Sequence, residues 1–126
     1  MSPDVISRVV KDYFAALRAM DQEAWVKTFA DDAVSHDPVG APPIHGHQKL
    51  REFFQSIAGA FETVGLTEDQ IFISGSGAAV KWTGRGKSKQ GRQVHFEGID
   101  VFEINEAGKI QNVYAYWNPA EMVAQL

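Results

Sequence analysis

The first third of the chain carries apolar residues at helical spacing. Ile6, Val9, Val10, Tyr13, Phe14 and Leu17 recur three and four positions apart, which predicts a helix from about Pro3 to Met20 with one buried stripe. Pro3 suits the first helical turn, and Asp4 suits its positive end. Tyr13 falls on the buried stripe. Asp21 reads as the N-cap of a short second helix, Gln22 to about Phe29, with Ala24, Trp25, Thr28 and Phe29 inward. Ala30–Asp31–Asp32 reads as a turn, and Ala33–Asp37 as a short extended piece stopped by Pro38. A residue before proline avoids the α region, so Asp37 is expected to be extended. The stretch from Pro38 to Gly46 reads as a rigid loop. A third helix follows from about His47 to Phe61, with Leu50, Phe53, Phe54, Ile57 and Phe61 on its apolar face.

Beyond Phe61 the period shortens. Gly65–Ser74, Ala78–Ser88, Arg92–Asn105 and Lys109–Asn118 read as strands separated by glycine-containing turns at Gly75–Gly77, Gln90–Gly91 and Glu106–Gly108. Strands joined this closely form an antiparallel meander. Helices first and sheet second predict an α+β fold, with three helices packed on one face of a curved sheet. No repeat, low-complexity tract or domain boundary interrupts 1–126.

The 126 residues fit one domain, enough to bury a core and still hollow out a pocket. The net charge of −4 argues against a nucleic-acid partner. The one basic cluster, Lys81, Arg85, Lys87, Lys89 and Arg92, has no aromatic residue within Arg85–Arg92 for base stacking and reads as a solvated hairpin end. Without cysteines there is no disulfide, thiol nucleophile or thiolate metal site. Met1–Asp4 lacks the basic and apolar regions of a signal peptide, and no apolar run is long enough to span a bilayer, so a cytoplasmic protein is expected. His36, His45, His47 and His95 stand at no recognised ligand spacing, and Gly84 and Gly86 open no helix. Neither a metal nor any other cofactor is expected.

Asp100 is the most informative polar residue. Side chains alternate across a strand, so it shares a face with Val94, Phe96, Gly98, Phe102 and Ile104. A carboxylate on that apolar wall would tend to become neutral, and a neutral acid can donate a hydrogen bond. The alternative is a bulge at Gly98 that turns Asp100 to solvent. Asp37 either caps a turn or stands ready at a strand end. Tyr13 either packs in the core or presents its hydroxyl to a cavity.

Taken together, Val10-Lys-Asp-Tyr13-Phe-Ala-Ala-Leu, Phe29-Ala-Asp-Asp-Ala33, Asp37-Pro-Val-Gly-Ala-Pro-Pro-Ile-His-Gly46, Gly98-Ile-Asp100-Val-Phe and Ala115-Tyr-Trp117 resemble the bacterial ketosteroid isomerases across nearly the whole chain. The wider family is the cone-shaped fold of nuclear transport factor 2 and the SnoaL-like polyketide cyclases. The resemblance implies Asp37 as the base that moves a proton between two carbons, with Tyr13 and a protonated Asp100 holding the dienolate oxygen. A carboxylic acid kept neutral in this way is the known behaviour of that enzyme. Trp117 matches an aromatic residue beside the base. Phe29 and Phe54 stand where some isomerases carry tyrosines, which would leave Tyr13 a weaker donor. Phe29, Phe54, Trp82, Phe96, Phe102 and Trp117 are the expected substrate contacts, and Val94, Phe96 and Phe102 are expected to line a cavity with Asp100.

The implied activity is double-bond isomerisation of a steroid-like β,γ-unsaturated ketone. The alternatives are a related lyase, cyclase or hydrolase, or a non-catalytic module that binds a small apolar ligand. The resemblance also implies a homodimer through the outer sheet face, with Val101, Val113 and Tyr116 as contact candidates.

Overall fold

The computed structural model describes residues 2–126; Met1, within the Met1–Asp4 stretch that lacks signal-peptide character, lies outside them. Helix α1 spans Pro3–Arg18, and the Ser2 side chain accepts from the Val5 N–H at its start. Helix α2, Gln22–Val26, is capped by Asp21, whose carboxylate accepts from Ala24 N–H at 3.1 Å. It is shorter than the spacing predicts, because Phe29 already belongs to strand β1, Phe29–His36. Trp25, Thr28 and Phe29 are buried as expected, but Ala24 is exposed and Val26 takes its inward place.

The expected Ala30–Asp32 turn lies inside β1. Pairing between β1 and β6 runs from Phe29↔Ile110 directly to Val34↔Asn112, so the intervening residues of β1 bulge out of the ladder. The turn-like composition is real, but it marks an irregularity within a strand. The loop after Asp37 contains a further two-residue strand, β2 (Ile44–His45), paired with β1.

Helix α3 covers Gly46–Ala60, and Phe61 adopts extended geometry and opens β3, Phe61–Ser74. Strands β4 (Gly77–Ser88), β5 (Gln93–Ile104) and β6 (Ile110–Trp117) complete an antiparallel meander from β3. The six-stranded sheet runs in the order β2-β1-β6-β5-β4-β3, with β1 parallel to β6. A short helix α4, Pro119–Val123, follows, capped by Asn118. No helix among the described residues is long and apolar enough to cross a membrane.

Helices α1 and α3 cover one face of the sheet. Ile6, Val10, Phe14, Leu50, Val80 and Ile110 are fully buried between the layers. Val113 belongs to this core too, which corrects its placement on the outer face. It pairs with the buried Phe102, and Tyr116, three residues further along the strand, therefore points the opposite way and is 54% exposed. The basic cluster is divided. Lys87, Lys89 and Arg92 are exposed around the β4–β5 turn, whereas Lys81 is half-buried between Asp69 at 3.6 Å and Glu97 at 3.8 Å.

Candidate active site

The ladder between β4 and β5 is unbroken through Trp82↔Gly98, Val80↔Asp100 and Ala78↔Phe102. Asp100 therefore keeps its inward phase and is 2% exposed. Gly98 makes no bulge. A Cβ there would come within 2.6 Å of the Trp82 ring and 2.7 Å of the Trp117 Cβ, so the missing side chain leaves room for both residues in the cavity wall. Tyr13 arrives from the buried stripe of α1, also 2% exposed. Asp37 arrives from the end of β1 and is only partly covered by its neighbours. The loop after it is tied down by Val39 N–H donating to the Ala115 carbonyl at 2.8 Å.

These three polar groups share one cavity. Its volume is about 100 Å³. Trp25, Phe53, Phe54, Trp82, Phe96 and Trp117 supply its aromatic walls. Of the expected substrate contacts, Phe54, Trp82, Phe96 and Trp117 line it. Phe29 and Phe102 do not; they pack edge-on against the Tyr13 ring, with centroids 5.8 Å and 5.0 Å away, and so form a layer behind the wall. Val94 is buried on the Asp100 face of β5 but lies nearer the hairpin turn, outside the cavity.

Other lining residues do not stand out as polar exceptions in the sequence. Trp25 was expected inward, but as core rather than cavity wall. Phe53 and Ile57 lay on the predicted apolar face of α3, which gave the signal that could have placed them. Met122 sits on α4, too short to announce itself by periodicity.

Electrostatics separates the two aspartates. Burial pushes Asp100 well above the usual carboxylate range, and the negative charge of Asp37 pushes it further, with the Trp82 indole opposing. Burial also raises Asp37, but the Trp117 indole opposes it with a formed hydrogen bond, Nε1 donating to Oδ1 at 2.7 Å. Of the two, Asp100 is raised further, and a charge on Asp37 favours the proton on Asp100. Tyr13 is raised well above its ordinary value by burial, then by Asp100 and Asp37, and stays a neutral phenol, with Trp25 opposing. The indole N–H groups of Trp25 and Trp82 are both buried, and neither completes a hydrogen bond of good geometry. The site therefore offers one carboxylate able to take a proton and two neutral O–H groups able to donate to a developing oxyanion, within apolar walls.

A family model described as a SnoaL-like domain matches residues 10–113. A curated protein of Nocardioides simplex named steroid Delta-isomerase is 28% identical over 124 residues, covering 98% of this chain and 97% of that protein. Among solved structures, the epoxide hydrolase/cyclase-like enzyme SalBIII, of pyran ring formation in the polyether salinomycin, is 25% identical. It superposes with a TM-score of 0.82 over 92% of each chain. A Mycobacterium tuberculosis protein solved with estradiol-17β-hemisuccinate is 24% identical, with a TM-score of 0.83 over 93% of this chain and 96% of that one; this likeness speaks to the fold.

Proposed function

The chain belongs to the SnoaL-like domain family, and on that premise we propose that it is a cofactor-independent isomerase of a steroid-like β,γ-unsaturated ketone. The observation that carries this reading is the pair of acids in one apolar cavity, with Asp100 raised further above the usual carboxylate range than Asp37. A pocket that only sequestered an apolar ligand would gain nothing from burying two carboxyl groups. The similarity to a steroid Delta-isomerase along nearly the full length of both chains supports the same reaction class.

Asp37 takes a proton from the carbon between the carbonyl and the double bond. The electrons move onto the carbonyl oxygen as a dienolate, which Tyr13 and protonated Asp100 hold with O–H donors. Protonated Asp37 then returns the proton to the far end of the double bond, leaving a conjugated ketone. The hydrogen bond from Trp117 to Oδ1 leaves Oδ2 as the oxygen free to carry the proton. Trp82, Phe96 and Phe54 keep water from the dienolate.

The test is turnover of a β,γ-unsaturated ketosteroid, followed by the ultraviolet absorbance of the conjugated product. The parent chain is expected to turn it over, and Asp100→Ala to lose roughly 10²–10³ in rate, as for removal of one oxyanion donor. Asp100→Asn keeps a donor and is expected to lose less. A second reading, a cyclase or hydrolase acting on another apolar substrate, draws support from the 25% identity to SalBIII. It takes over if no such ketone is isomerised while a phenolic ligand still binds this cavity.

A further inference from the structure

The Tyr13 ring is surrounded by hydrocarbon. Phe14, Phe29 and Phe102 present to it at centroid distances of 5.1, 5.8 and 5.0 Å, and none carries a donor or an acceptor. The remaining aromatic neighbour does. Trp25 lies 5.8 Å away at 49°, and its indole N–H is a donor with no acceptor function. That N–H is buried and unbonded. Trp25 lines the cavity that Tyr13 also enters. The rings around Trp25 are Tyr13, Phe29, Phe53 and Phe54, and the Tyr13 oxygen is the single acceptor those rings provide.

We infer that Trp25 is a positioning residue for the Tyr13 hydroxyl, its indole N–H donating to the phenolic oxygen so that the hydroxyl proton points into the cavity. An oxygen that accepts one hydrogen bond becomes a better donor of its own proton. The donation also uses one lone-pair direction and so restricts where the O–H can turn. The effect of Trp25 on Tyr13 has the matching sign, since the indole opposes the rise in the phenol pKa. The site already contains one such pairing, because Trp117 holds Asp37 through its own indole N–H at 2.7 Å. The inference rests on the reading of Tyr13 as an oxyanion donor. Within that reading, it gives the hydroxyl a support that its phenylalanine neighbours cannot supply.

The test compares two ligands of similar shape: 2-naphthol, which binds as an oxyanion mimic, and naphthalene, which has no oxygen. Tyr13→Phe is expected to remove most of the preference for naphthol. Trp25→Phe is expected to lower the preference for naphthol over naphthalene about 3- to 10-fold, the size of one supporting hydrogen bond. If Tyr13→Phe matters and Trp25→Phe leaves the naphthol preference intact, Trp25 only shapes the wall, and this inference is overturned while the isomerase reading stands. If Tyr13→Phe leaves the preference unchanged, the oxyanion role fails and this inference fails with it. A second measurement needs no change at Trp25. In the nitrogen–proton spectrum of the full chain, the Trp25 indole signal, assigned through its contacts with the Tyr13 ring, is expected to move upfield in Tyr13→Phe more than those of Trp82 and Trp117. A Trp25 signal that does not move overturns the inference even if Trp25→Phe fails to fold.

Discussion

Asp37 and Asp100 are the same residue type in one cavity, and their surroundings give them different chemistry. Asp100 sits on an apolar strand face, whereas Asp37 sits at a strand end with an indole donor on one oxygen. That asymmetry has a consequence for stability. In the unfolded chain both carboxyls ionise near the ordinary value, about 3.9. Folded Asp100 holds its proton to higher pH, so the unfolded state releases more protons as pH rises above that value. The resulting destabilisation is absent below the unfolded pKa, grows as pH rises, and stops growing above the folded pKa. Asp100→Asn is therefore expected to melt at a higher temperature than the parent near neutral pH, with the gain vanishing below about pH 4. Equal melting temperatures at pH 7 would speak against a buried acid at this position. Trp117→Phe removes the donor that opposes the rise of Asp37, so the acid limb of the pH–rate profile is expected to move to higher pH. Asp100 was legible in the sequence because strand alternation is rigid and one carboxyl interrupts an apolar face. The cavity role of Trp25 was not, since a buried indole reads as core whether or not its N–H has work to do.

At the scale of elements, Gly98 shows how a strand makes room for a site. It was open to reading as a bulge, and it instead leaves space for the Trp82 ring and the Trp117 Cβ. Gly98→Ala would place a methyl against the Trp82 ring, the Trp117 Cβ and the Tyr116 carbonyl. The expected cost is about 1–3 kcal/mol of stability by chemical denaturation, with turnover reduced because both indoles must shift. A variant as stable and as active as the parent would mean the two rings have slack that their positions do not suggest. The meander β3–β6 was legible because glycines punctuate it. The β1–β6 pairing was not, because parallel neighbours far apart in sequence leave no turn signal between them. Helix α4 and strand β2, of five and two residues, are too short to carry a period, yet α4 delivers Met122 to the cavity.

At the scale of the molecule, helices and curved sheet enclose the cavity, and the outer sheet face carries Phe72, Ile99 and Tyr116, 65%, 45% and 54% exposed. We propose that this face pairs two copies of the chain. Sedimentation is expected to give a dimer that Tyr116→Glu weakens, and a monomer at micromolar concentration would refute the pairing. We propose that Asp37 runs a proton shuttle in this interior, and one substitution addresses it. Asp37→Asn keeps the shape of the residue and its place beside Trp117 but loses the base. On a β,γ-unsaturated ketosteroid that the parent isomerises, its turnover is expected to fall by roughly 10²–10⁴. Its affinity for 2-naphthol is expected to hold or rise, because a negative charge near the bound oxyanion is gone. An Asp37→Asn chain that turns over the ketone as fast as the parent would contradict the assignment of Asp37 as the base.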